Sequence, residues 1–223
     1  MKAVRTSEPL LWKADLTKSD LEPGWYHKNT PVKRCYTLDE KPGHLRVYGN
    51  CYDLASPESP ALLLRKQTSY NQTFCIKLDF RPTRPGYEAG GVLWWNQYSY
   101  ASIGVAGKAA DDAGVVSAVA MREPAGKPKL FKDSMANVEV GDVTSFTISI
   151  QARPTEYTLS LTTSGRTNAF TVPVADLTVP PPVGGSFTGI MFGIYSFGQG
   201  EPVLDPADFS EIAIREDTVN KSL

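Results

Sequence analysis

A surplus of charge of either sign is the first thing this 223-residue sequence lacks: 23 Lys and Arg stand against 24 Asp and Glu, a formal charge of -1. Without a basic excess there is no field to neutralise a phosphate backbone or to hold an anionic membrane surface, so nucleic acid and membrane are set aside as partners. No apolar stretch approaches about 18 residues, and the amino terminus, MKAVRTSEPLLWKADL, carries no apolar core ahead of a small-residue cleavage site. The expectation is a soluble, cytoplasmic chain. Cysteine is scarce. Cys35, Cys51 and Cys75 are odd in number and show no CxxC spacing, so neither a disulfide framework nor a zinc site follows, and a reducing compartment fits. Histidine is scarcer still, with His27 and His44 alone. No Gly-x-Ser-x-Gly elbow occurs, which removes a Ser-His-Asp triad of that type. Gly198-Gln199-Gly200 lacks the further glycine and the helix that a dinucleotide site requires. Helical periodicity is missing as well: no dozen residues hold a convincing 3.6 period.

What is present is turn chemistry and alternation. Gly and Pro make up 35 of 223 residues, about 16% against an average near 12%. Period-two runs recur between Gly, Pro and Asn clusters, and this pattern predicts an all-β chain. Residues 74–80 set Phe74, Ile76, Leu78 and Phe80 against Cys75, Lys77 and Asp79; 145–151 and 157–162 alternate in the same way. Leu45 with Val47 and the stretch 209–215 add further strands with one wet face. A second set, 61–67, 90–96, 98–105, 115–121 and 190–197, reads differently, because its second face carries Trp, Tyr, Arg and Gln instead of Lys, Thr and Asp. Two sheets of unlike character predict an antiparallel two-sheet β-sandwich of jelly-roll type, with one plain face and one face that is covered or binds something. Residues 1–223 are read as one domain, with 106–113, 122–138 and the Pro-rich 180–185 as loops and 217–223 as a frayed tail.

Particular segments carry a resemblance. Pro42-Gly43-His44-Leu45-Arg46-Val47-Tyr48-Gly49, then Leu63-Leu64-Arg65-Lys66-Gln67, then Glu88-Ala89-Gly90-Gly91-Val92 resemble the carboxy-terminal domain of family-43 β-xylosidases. The likeness continues through Trp25 to Pro31, Asp79-Phe80-Arg81-Pro82, Phe187-Thr188-Gly189 and Ala207-Asp208-Phe209, covering nearly the whole chain in order. It implies a concanavalin-A-like sandwich. It also implies that the hydrolytic carboxylates are elsewhere, since in that family they belong to an amino-terminal propeller that nothing here resembles. The family's sandwich is an accessory domain, and related copies are regarded as xylan-binding modules. A free-standing copy is expected to act by itself or with a partner.

Glucanases on such sandwiches place their carboxylates as Glu-x-Asp-x-x-Glu along one strand, where alternate residues project together towards the sugar. No such run occurs, and Glu88 stands alone at a strand mouth, a weak catalytic candidate beside His27, whose imidazole has the pKa range for acid-base work. The candidate ligand set is Trp94, Trp95, Tyr98, Tyr100 and Tyr195 with Arg46, Arg65 and Gln67, because aromatic faces stack on sugar C-H faces while Arg and Gln bond hydroxyls or carbonyls. Trp94 and Trp95 are adjacent and so point to opposite faces, one of them expected in the core. Arg65 is expected to leave the core with Gln67 while Leu62 and Leu64 enter it. No cofactor is required; a structural calcium held by Asp15 and Asp208 remains open. Two functions follow. One is a non-catalytic carbohydrate-binding sandwich for xylan-type chains. The alternative is an isomerase, cyclase or lyase acting on a hydrophobic oxygenated small molecule by shape and a few hydrogen bonds.

Overall fold

The computed structural model describes residues 9–31, 33–110, 114–125, 131–178 and 189–217, with the backbone alone for 133–138. The elements in chain order are β1 Leu10–Lys13, β2 Trp25–Tyr26, β3 Tyr36–Thr37, β4 Leu45–Val47, β5 Ala61–Lys66, β6 Gln72–Asp79, β7 Glu88–Asn96 and β8 Ser99–Ala109. They continue with β9 Val115–Pro124, β10 Phe131–Glu139, β11 Ser145–Ala152, β12 Glu156–Thr163, β13 Arg166–Pro173, α1 Val174–Leu177, β14 Met191–Phe197 and β15 Ala207–Glu216. Among the described residues the strands form two antiparallel sheets. One, of eight strands, runs β13-β12-β11-β6-β15-β4-β3 with β1 also on β15; the other, of seven, runs β10-β9-β8-β7-β14-β5-β2. The antiparallel sandwich expected from the alternation is the architecture that forms.

The eight-stranded sheet is the plain one. In β6, Phe74, Ile76 and Leu78 are buried while Cys75, Lys77 and Asp79 are half-exposed, and β11 and β12 repeat the pattern with Phe146, Ile148, Ile150, Leu159 and Leu161. One face packs and the other meets water, as period two demands. The inner face of the other sheet closes the core with Leu63, Leu93, Ile103, Val119 and Ile194, and Phe74 stacks on Phe192 across the interface at 5.4 Å. The seven-stranded sheet is also buried on its outer face. Leu62, Leu64, Val92, Trp94, Tyr100 and Tyr195 form a second apolar cluster there, with Leu54 from the loop before β5 packed into it. Burial on both faces explains the unbroken apolar run Val92-Leu93-Trp94-Trp95.

Three expectations need correction. Residues 106–109, read as loop, continue β8, pairing Ala106 with Ala118 and Ala109 with Val115. The glycine among them reflects crowding: a Cβ on Gly107 would come 2.2 Å from the Arg84 carbonyl oxygen. The stretch 122–138, also read as loop, holds the end of β9 and most of β10, with Pro124 at the end of its strand and β10 on the sheet edge. Proline at a strand terminus and weak alternation at an edge mimic a loop. Asp217, placed in the frayed tail, is 4% exposed, accepts a bond from Thr73 Oγ1 at 2.8 Å and pairs with Arg153. Residues 218–223 and 180–185 lie outside the described residues.

Candidate functional site

The outer face of the seven-stranded sheet unites three of the expected ligand residues, Trp94, Tyr100 and Tyr195, with the catalytic candidate Glu88. Trp94 pairs with Tyr100 across β7 and β8, their rings 5.5 Å apart, and Tyr100 meets Phe131 of β10 at 4.2 Å. Tyr195 stands level with Gly90, which stands level with Gly104. The glycines have a steric cause, since a Cβ on Gly104 would sit 2.7 Å from the Tyr195 hydroxyl oxygen. Crossing them, Tyr195 donates its hydroxyl to Glu88 Oε1 at 2.7 Å. Arg122 donates Nη2 to Glu88 Oε2 at 2.8 Å and Nη1 to Oε1, while its guanidinium lies 5.4 Å from the Phe197 ring centroid. Burial, with the Glu88 carboxylate beside it, pushes the Tyr195 phenol well above its ordinary pKa. Glu88 is 2% exposed. A carboxylate paired with a guanidinium and bonded by a phenol binds strands together; it has no free oxygen aimed at a substrate.

At one end of this face Lys28 approaches Trp94, its Nζ 5.9 Å from the ring centroid and bonded to the Ser56 carbonyl. Burial lowers its pKa to about 8, against the pull of Glu58 and Asp53. Sequence reasoning passed over Lys28, and its place beside His27 was the single available signal. His27 stacks on Tyr36 at 6.4 Å, and burial lowers its pKa.

The other expected residues lie elsewhere. Arg65 and Gln67 do not share a face with Trp94: Leu62 and Leu64 occupy the outer cluster, Leu63 the core, and Arg65 follows Leu63 to the sandwich edge. There its guanidinium lies 3.7 Å from the Trp12 ring centroid, and Nη1 is 4.0 Å from Glu22. The expected parity failed because both faces of this sheet are apolar. Tyr98 belongs to the turn between β7 and β8, its backbone N–H bonded to Asn96 Oδ1 at 2.8 Å. Arg46 is on the opposite sheet, donating Nε to Asp208 Oδ1 at 2.7 Å and Nη2 to Oδ2 at 3.0 Å. Lys41 is 3.2 Å from the same carboxylate. Burial works to raise the pKa of Asp208, but the bonds from Arg46 and Lys41 prevail and lower it. Two cations already hold this carboxylate, while Asp15 bonds Thr17 and lies 3.3 Å from Lys18. The pair does not fit a calcium site, and the described residues contain no cluster of three His, Cys, Asp or Glu placed for a metal. His44 bonds the Pro42 carbonyl at 3.1 Å, as a turn histidine should. No helix of the described residues is long and apolar enough to cross a membrane.

Trp95 and Gln67 meet at the rim. Trp95 shares parity with Leu93 but lies near the end of β7, and it is half-buried in a cleft of about 510 Å³ with Gln67, Thr68, Ser69, Tyr70 and Tyr157. Tyr157 donates its hydroxyl to Gln67 Oε1 at 2.7 Å, and Gln67 Nε2 donates to the Ser69 carbonyl at 2.8 Å. The Asn71 N–H bonds Ser69 Oγ at 3.2 Å. These bonds fix a turn that carries Tyr70, which is 72% exposed. Tyr70 and Tyr157 were not foreseen; an aromatic among Thr68, Ser69 and Asn71 was the signal for the first. The larger groove of about 830 Å³ on the eight-stranded sheet is charged, and its Lys77 and Glu211 pair at 2.8 Å.

The family model described as the β-xylosidase C-terminal concanavalin A-like domain matches residues 13–215. A non-reducing end α-L-arabinofuranosidase of Bacteroides ovatus is 25% identical over 198 residues, 87% of this chain and 35% of that protein. Among solved structures, a xyloglucan-locus GH43B of Bacteroides ovatus superposes with a TM-score of 0.74 at 23% identity, covering 96% of this chain and 40% of that one. A xylan β-1,4-xylosidase of Bacillus halodurans gives 0.71 at 20% identity, covering 94% and 40%. A Saccharomyces cerevisiae protein of unknown function gives 0.56 at 10% identity, covering 87% and 96%. The chain thus spans little more than a third of the curated relative, and the structural likenesses concern the fold. With a match over almost its entire length, the chain belongs to the family of β-xylosidase C-terminal concanavalin A-like domains.

Proposed function

We propose that the chain is a non-catalytic carbohydrate-binding sandwich and that the sugar sits in the rim cleft beside Trp95. The observation that carries this reading is the cleft itself. It is open, it presents the rings of Tyr70 and Trp95 with hydroxyl and amide groups over the buried Tyr157, and hydrogen bonds within the turn hold it in shape. Apolar surface with a few placed polar groups is the usual make-up of a small-molecule site, and a site already shaped binds at lower entropic cost. The Trp94 face offers less to a ligand, because Trp94, Tyr100 and Tyr195 are already packed against protein. Similarity to an arabinofuranosidase and a xylosidase favours a pentose-containing chain as the ligand.

Hydrolysis by this chain is not part of the proposal. Two carboxyls about 5–9.5 Å apart are needed to flank a glycosidic bond, and Glu88, the carboxylate on the aromatic face, is taken up by Arg122 and Tyr195. The isomerase, cyclase or lyase reading has no comparable observation behind it. Titration calorimetry with xylotetraose, followed by chromatography of the recovered sugar, tests the function. Saturable binding with intact tetrasaccharide is expected; release of xylose or shorter chains by the purified protein would overturn it.

A further inference from the structure

We infer that the rim cleft selects uncharged glycan chains and rejects those bearing uronate groups. This rests on the carbohydrate-binding reading and goes beyond it by naming the class of chain accepted. Among the described residues the lining contains no Lys, Arg, His, Asp or Glu; its polar groups are the Gln67 amide, the Trp95 indole N–H, the hydroxyls of Thr68, Ser69 and Thr178, and the phenols of Tyr70 and Tyr157. The wall is completed by Val174, Gly189 and Ile190. A uronate carboxylate entering such a cleft loses water and meets no cation, whereas a neutral hydroxyl exchanges bonds with other hydroxyls at little cost.

Several of the buried and half-buried charges are committed elsewhere. Arg46 and Lys41 hold Asp208, Arg122 holds Glu88, Arg153 pairs with Asp217, and Arg65 lies on Trp12. The Gln67 amide is itself committed, accepting from Tyr157 and donating to Ser69, so Gln67 is a positioning residue that sets the turn carrying Tyr70. The hydroxyls of Thr68, Thr178 and Tyr157 donate to Gln72, the Val174 carbonyl and Gln67, so they meet a ligand as acceptors, beside the Tyr70 phenol and the aromatic faces; acceptors suit sugar hydroxyls and repel a carboxylate.

Gly189 supplies a clean probe. Among the described residues a Cβ built there meets nothing within 4 Å, and its φ lies outside the left-handed region, so Gly189→Leu places bulk in the cleft without backbone strain at that position. Calorimetry on the full chain compares xylotetraose with xylotriose bearing one glucuronate side group and with tetragalacturonate. We expect the two acidic sugars to bind at least about tenfold more weakly, a difference of about 1.4 kcal/mol. Gly189→Leu is expected to weaken xylotetraose binding by a similar factor with no change in the melting curve. Equal or tighter binding of either acidic sugar overturns the selectivity and leaves the carbohydrate reading standing. Undiminished xylotetraose binding by Gly189→Leu overturns the cleft as the seat. Failure of all three sugars to bind removes the carbohydrate reading itself.

Discussion

Trp94 and Trp95 are consecutive, yet they belong to two regions built on different terms. Trp94 is 4% exposed in a cluster that includes Tyr100, Tyr195 and Leu54, over a sheet whose glycines let rings lie flat. Trp95 sits half-exposed in a cleft whose shape comes from the Gln67 amide and the Tyr157 phenol. The first region spends its aromatic surface on stability. The second leaves Trp95 and Tyr70 open to solvent and is kept in place by hydrogen bonds. An aromatic-rich strand therefore says little about binding until the fate of each of its two faces is known.

The buried aromatic face depends most on Glu88. Removing its carboxylate in Glu88→Ala takes from Arg122 and the Tyr195 hydroxyl the acceptor they share in the buried face, and unfolding by denaturant should show a loss of about 3–5 kcal/mol. A loss below about 1 kcal/mol would mean that water reaches the pair. Trp94→Ala should cost a similar 3–5 kcal/mol, whereas Trp95→Ala should cost no more than about 1–2 kcal/mol.

Acid sharpens the contrast with the opposite sheet. The pKa of Asp208 is lowered in the folded state, so its contribution is complete above the ordinary carboxylate range near 4 and disappears as pH falls through the folded value. Charge-assisted bonds of this kind are worth about 1.5–3 kcal/mol. Melting temperature measured between pH 6 and pH 2 should therefore fall less steeply for Asp208→Asn than for the parent chain. Parallel curves would show that the Arg46–Asp208 pair contributes nothing.

Smaller effects are expected away from both regions. Arg65→Ala removes a cation–π contact with Trp12, worth about 0.5–2 kcal/mol, and should lower the melting temperature while leaving xylotetraose affinity unchanged. A loss of affinity without loss of stability would return Arg65 to the binding site. Tyr157→Phe, which deletes the bond to Gln67, should cost about 0.5–1.5 kcal/mol and slightly weaken the sugar by loosening the Tyr70 turn.

The strands with one wet face were legible because Lys77, Asp79 and Thr147 mark the outer side of residues such as Ile76, Leu78 and Ile148. Where both faces are apolar the same alternation carries no sign, and Leu62-Leu63-Leu64-Arg65 was read with its two faces exchanged. The Glu88–Arg122 pair was invisible because it depends on register across β7, β8 and β9, which places residues 34 positions apart together. Of the rim cleft, Trp95 and Gln67 were named from sequence, but for a face they do not occupy. Tyr70 and Tyr157 come from segments whose meeting is decided by how the two sheets close.

The central claim is that Trp95, and not its neighbour, meets the sugar. Xylotetraose affinity of Trp95→Ala, measured by calorimetry on protein whose melting curve establishes folding, tests it directly. The account predicts at least about a tenfold loss from one deleted aromatic platform. Affinity equal to that of the parent chain would contradict it.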